Sequence, residues 1–131
     1  MKKQFSTSWK GSRQSRKQVK YAANAPQHIK ARMMSAHLSK DLKKKYGRRS
    51  FQIKKGDTVK IMRGALNGKT GKISIVDLRK MRVALEGIQV TKKDGTKRNV
   101  MFYPSKLLIT ELNLEDKKRI NAISRGKDKS E

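Results

Sequence analysis

The stretch Arg63 to Ile73 reads RGALNGKTGKI, and its glycines, lysine and threonine are the residue types that hold a nucleotide's phosphates. A phosphate-cradling loop of the NTPase kind needs GxxxxGK(S/T) between a strand and a helix, where backbone N–H groups and the positive helix end meet the anion. Gly64 and Gly68 are separated by three residues, not four, and the chain continues as Gly71, Lys72, Ile73, Ser74, Ile75 and Val76. Glycine followed by β-branched residues starts a strand more readily than a helix. The loop therefore reads as a turn between the strands TVKIM and GKISIV. Gly64 and Gly68 allow positive φ there and let a phosphate approach backbone N–H groups, while Arg63, Lys69 and Lys72 supply charge. Gly71 reads as a structural residue, allowing a close crossing of the sheet wall.

Other chemistries find little support. Asp57, Asp77, Glu86 and Glu111 fall beside turns and strand ends, with no nucleophile or obvious partner for general acid–base work. Asp57, in KKGDTV, is expected to hold a turn. His28 and His37 stand nine residues apart with no cysteine in the chain, so neither a metal site nor a cofactor is expected. The absence of cysteine also excludes disulfides and fits an intracellular protein. MKKQFSTSWKGSRQ lacks the apolar core of a secretory signal, and no apolar run approaches the roughly 20 residues of a membrane span.

Charge is the dominant signal. The chain carries 35 Lys and Arg against 10 Asp and Glu, a net charge of +25 in 131 residues. That excess works against the compact state unless a polyanion neutralises it, and nucleic acid is the natural class. The distribution is uneven: residues 1–55 hold 17 basic residues and one acid, residues 56–112 hold 12 and five, and residues 113–131 hold six and four. Asp41 is the first carboxylate.

The elements follow from this division. Residues 1–23 read as a basic arm, disordered to about residue 20 in the free protein because so little apolar surface offsets the entropy of ordering. Residues 24–50 read as a basic helical extension. Pro26 suits a first helical turn, with Ile29, Met33 and Ala36 on one face, and Met33–Met34 is assigned to packing. A second short helix, KDLKKKY, has Ser39 as N-cap, Asp41 near its positive end and Gly47 as its stop. From Phe51 the apolar period becomes two, with a hairpin signal at Asp94-Gly95. Residues 51–112 thus predict about five short strands closing as a small barrel, with a bulge where Ile73, Ile75 and Val76 break alternation. Residues 113–131 predict a last helix capped by Asn113, then a polar tail beyond Gly126.

The pattern VxIxxGxxxGxxGxI, matched by Val59, Ile61, Gly64, Gly68, Gly71 and Ile73, resembles the KOW motif of small SH3-like barrels. With the upstream APxHxxxxxMSAxLSKxLxxKYGxRS block from Ala25 through Ser50, and RVALEGI and YPSKLLITEL downstream, residues 24–120 resemble one family. It is the universal KOW-domain protein of the large ribosomal subunit, number twenty-four in bacterial naming, in its archaeal and eukaryotic form. Phe102-Tyr103 depart from it, standing where many relatives have an aliphatic residue and His.

The resemblance implies a mainly β fold: a small SH3-like barrel with a basic, partly helical N-terminal extension and a short C-terminal helix. It also implies a non-enzymatic, cytoplasmic ribosomal role. The expected protein is a monomer within the particle, binds the 5′ region of large-subunit rRNA, acts early in assembly, touches neighbouring ribosomal proteins and lies near the peptide exit tunnel. A KOW-domain transcription or RNA-processing factor is the alternative. The candidate rRNA contacts are Lys10, Arg13, Arg16, Lys17, Lys20, Lys30, Arg32, Arg48, Arg49, Arg63, Gly64, Gly68, Lys69, Lys72 and Lys106, with Trp9 as a candidate base stacker.

Overall fold

The structure, a computed structural model, describes residues 5–125. The predicted tail beyond Gly126 lies outside the described residues. Alternation from residue 50 onward builds six strands: β2 (Ser50–Gln52), β3 (Thr58–Ile61), β4 (Thr70–Asp77), β5 (Arg82–Thr91), β6 (Lys97–Phe102) and β7 (Leu107–Glu111). A seventh, β1 (Ser35–Leu38), comes from the extension, so the strand count exceeds the five expected. The order across the sheet is β2-β1-β7-β3-β4-β5-β6. Only the β1–β7 ladder is parallel among these pairings. The protein is mainly β, an open mixed sheet with β2 and β6 at its edges, consistent with an SH3-like KOW fold and widened by the extension.

Strand β1 corrects the helical reading of Ala36. Helix α2 (Gln27–Met33) stops before it, and Pro26 is its N-cap. Met34, Ala36 and Leu38 then alternate inward at 0–2% exposure, a period of two that the overlapping helical spacing of Ile29, Met33 and Ala36 obscured. The strand is held from both sides: Ser39 N–H donates to the Ile109 carbonyl and Ile53 N–H donates to the Met34 carbonyl. Met34, Leu38, Val59, Ile61, Ile73, Val83, Leu85, Leu107, Ile109 and Ile123 form the centre of the core. Each such side chain, fully buried, contributes about 1.5–3 kcal/mol of transfer free energy.

Local signals elsewhere work as expected. Helix α3 (Lys40–Tyr46) begins with the Ser39 hydroxyl accepting from Leu42 N–H and ends at Gly47 with φ +62°. The bulge predicted in GKISIV occurs as a register shift between Ile73 and Ile75 against β5. Strand β5 shifts register again against β6 between Ala84 and Gln89. Asp94-Gly95 closes the β5–β6 hairpin, with Gly95 at φ +86° and the Asp94 carboxylate accepting from Thr96 N–H and hydroxyl.

Two terminal readings change. Part of the arm expected to be disordered forms a 3₁₀ turn (Thr7–Trp9) and helix α1 (Ser15–Asn24). The Gln18 amide explains the link, because it donates to the carbonyls of Trp9, Lys10 and Ser12 at 3.3, 3.0 and 2.7 Å. The final helix, α4 (Lys117–Ser124), is capped by Asp116 and not Asn113. Asn113 instead accepts from Glu115 N–H in the preceding turn.

Candidate nucleic-acid interface

The interface begins with how the arm's cations are held. Lys10, Arg13, Arg16 and Lys20 are exposed, and Lys17 is half-buried. The ammonium groups of Lys17 and Lys20, one helical turn apart on α1, lie 5.6 and 5.1 Å from the centre of the Trp9 ring. Phe5 packs on Tyr21 with ring centres 5.1 Å apart. These contacts fold the turn against α1 while leaving its charges at the surface. Part of the Trp9 ring is thereby engaged by the chain's own lysines.

Among the described residues there are two ion pairs, Lys54–Asp116 and Arg119–Asp57, and neither uses a candidate contact residue. Lys30 is half-buried in the last turn of α2 and Arg32 is exposed beside it. Arg49 is exposed; Arg48 is half-buried with its guanidinium 5.7 Å from the Phe51 ring centre. Arg63, Lys69, Lys72 and Lys106 are exposed, the first two at the ends of the glycine loop, Lys72 in β4 and Lys106 in the turn before β7.

The glycine loop departs from expectation in one respect. Gly64 and Gly68 have φ of +98° and +88°, as the turn requires. However, Asn67 N–H donates to Gly64 O, Gly68 N–H to Ile61 O and Lys69 N–H to Leu66 O. Gly68 thus has no free N–H for phosphate. The turn uses the N–H groups of Asn67, Gly68 and Lys69 for its own closure. Gly71 behaves as read: an added Cβ would meet Glu86 O and Leu85 Cβ, each at 3.4 Å.

Asp57 has a partner that the sequence did not reveal. It is wholly buried, and Arg119 from α4 clamps it with two hydrogen bonds of 2.6 Å. The carboxylate also accepts from Lys54 N–H and Asn113 N–H at 2.9 Å, while Arg119 donates to the carbonyls of Asn113 and Gln52. All this chemistry is absorbed in joining α4 to the sheet. A separation of 62 residues hid the pairing; only the rarity of a lone Asp opening a buried strand hints at it.

The fold and its surface define a small β protein with a cationic exterior, and among the described residues no cluster of His, Asp and Glu suits a metal ion. The family of ribosomal proteins described as L26 in eukaryotes and L24 in archaea matches residues 12–126, and the chain belongs to that family. It is a family of structural, non-enzymatic components. The chain is similar to the large ribosomal subunit protein uL24 of Methanosphaera stadtmanae, 45% identical over 87% of this chain and 97% of the relative. The proteins of the same name from Korarchaeum cryptofilum and Sulfolobus acidocaldarius are 47% and 45% identical over 83% of the chain, covering 83% and 81% of the relatives.

Proposed function

We propose that this protein is a structural constituent of the large ribosomal subunit that binds large-subunit rRNA directly. The observation that carries the reading is the run of surface cations from Lys10 to Arg49 with no ion-pair partner among the described residues. Family membership and the relatives' names support the same assignment.

In this reading residues 1–23 and 24–50 supply salt-sensitive affinity and residues 51–112 supply placement. Lys10, Arg13, Arg16, Lys17, Lys20, Lys30, Arg32, Arg48 and Arg49 contact phosphates from the arm and the extension. Arg63, Lys69, Lys72 and Lys106 do so on the sheet, with Gly64 keeping the loop open. Trp9 stacks a base through the ring area its lysines leave free. The RNA is the 5′ region of large-subunit rRNA, bound early in assembly by a single copy, near neighbouring proteins and the exit tunnel of the cytoplasmic ribosome.

The test is competition. The full chain should prefer a labelled 5′ segment of large-subunit rRNA over bulk RNA at moderate salt and sediment with large subunits. Equal binding to both RNAs would overturn the reading.

A further inference from the structure

A cleft of about 340 Å³ lies where the extension meets the sheet. Met33, Met34 and Ser35 contribute one wall, Met81 another, and Tyr103 and Pro104 the turn before β7; no carboxylate lines it. Tyr103 is 45% exposed, and its neighbours hold it in place. Arg82 Nη2 donates to its hydroxyl at 2.8 Å, the same guanidinium lies 4.8 Å from the ring centre, and Lys106 Nζ lies 6.0 Å away. Lys106 N–H also donates to the Tyr103 carbonyl, setting the turn.

Two further features belong to this place. Met81 has φ +54°, an uncommon left-handed conformation for a non-glycine residue, at the end of the turn between β4 and β5. Arg82 Nε is buried and finds no acceptor among the described residues, and Arg82 and Lys106 stand beside Tyr103 at the edge of the cleft and not in its lining. A half-exposed ring, an apolar floor and two cations without a carboxylate match a nucleotide: a flat base for the ring and floor, an anionic phosphate for the cations.

We propose that this cleft receives one unstacked nucleobase of the bound RNA, stacked on Tyr103, with its phosphate at Lys106 and Arg82. The proposal rests on the rRNA-binding reading. It differs from the arm's contacts, because a base held by an aromatic face contributes affinity that salt changes little.

The experiment measures binding of the full chain to the 5′ rRNA segment across a salt series for wild type, Tyr103→Leu and Tyr103→Phe. Tyr103→Leu should weaken binding roughly 5- to 100-fold with an unchanged salt slope. Tyr103→Phe, which keeps the ring and loses only the hydroxyl, should recover most of the loss. Ultraviolet irradiation of the wild-type complex should leave a nucleotide adduct on the peptide containing Tyr103. Full affinity in Tyr103→Leu would overturn the cleft and leave the rRNA reading standing. A changed slope would also overturn it, assigning the effect to phosphate contacts, as would a crosslink in the intact particle to a neighbouring protein in place of RNA. A wild-type chain indifferent between rRNA and bulk RNA would overturn both.

Discussion

Two regions of this molecule treat charge in opposite ways. At the base of the sheet Asp57 and Arg119 are 0% and 4% exposed, and their hydrogen bonds run to each other and to backbone groups. In the arm Lys10, Arg13, Arg16 and Lys20 are exposed with no carboxylate partner among the described residues. The buried pair costs desolvation that its geometry offsets; the arm keeps its hydration and leaves its attraction for an external anion. Position, and not residue type, decides whether a charge holds the fold or a partner.

Breaking the buried pair gives the largest expected effect. Arg119→Met leaves an uncompensated carboxylate in the core and should cost about 3–5 kcal/mol, measured by denaturant unfolding. Asp57→Asn should fall in the same range. The double variant should lose less than the sum, yet not recover fully, since an amide at position 57 offers one acceptor oxygen for the Lys54 and Asn113 N–H groups, and the Asn113 and Gln52 carbonyls would lose the Arg119 donor. None of these variants should alter the salt slope of RNA binding in the folded fraction. A normal stability for Arg119→Met would remove the contrast at its root.

The arm should show the reverse behaviour. Replacing Lys10, Arg13, Arg16, Lys17 and Lys20 by Gln should flatten the slope of log affinity against log salt by about 0.7–0.9 for each phosphate no longer neutralised. Stability should change little, apart from roughly 0.5–1 kcal/mol for each ammonium removed from the face of the Trp9 ring. An unchanged slope would show that the anion is bound elsewhere.

The same division explains what was legible in the sequence. Local signals worked: Ser39 and Gly47 bound α3, Asp94-Gly95 closes a hairpin, and the broken alternation at Ile73 and Ile75 is a bulge. The charge gradient was equally legible, because exposed cations need no partner within the chain to be recognised. Long-range features stayed hidden. Asp57 meets Arg119 across 62 residues, and β1 exists because β2 and β7 flank it. Gln18 gathers three carbonyls that composition alone assigns to a loose arm. The Tyr103 cleft depends on Met33 and Met81, which are distant in sequence and meet only in the fold.

The glycine loop lies between the two regimes. Gly68→Ala should cost about 1–2 kcal/mol, because φ of +88° is unfavourable for any residue with a Cβ even though the space around it is open. RNA affinity per folded molecule should be retained, since Gly68 N–H is already given to Ile61 O. A large loss of affinity with normal stability would return the loop's backbone to the interface.

The smallest effect separates exposed pairing from buried pairing. Lys54 Nζ lies 2.6 Å from the Asp116 carboxylate, with both side chains 45% exposed. The Lys54 ammonium, and then Lys118 N–H, hold the Asp116 carboxyl below its usual range. A carboxyl depressed in the folded state binds fewer protons there than in the unfolded chain. Its contribution is therefore complete above the unfolded value of about 3.9 and is lost as pH falls through the folded one. Asp94, depressed by the Thr96 hydroxyl and then its N–H, acts in the same direction. Asp116→Asn should flatten the acid limb of stability slightly in unfolding measured between about pH 5 and pH 3, and added salt should shrink the difference. An acid limb untouched by Asp116→Asn would deny the exposed pair any energetic weight and leave the paired-charge contribution with Asp57 and Arg119 alone.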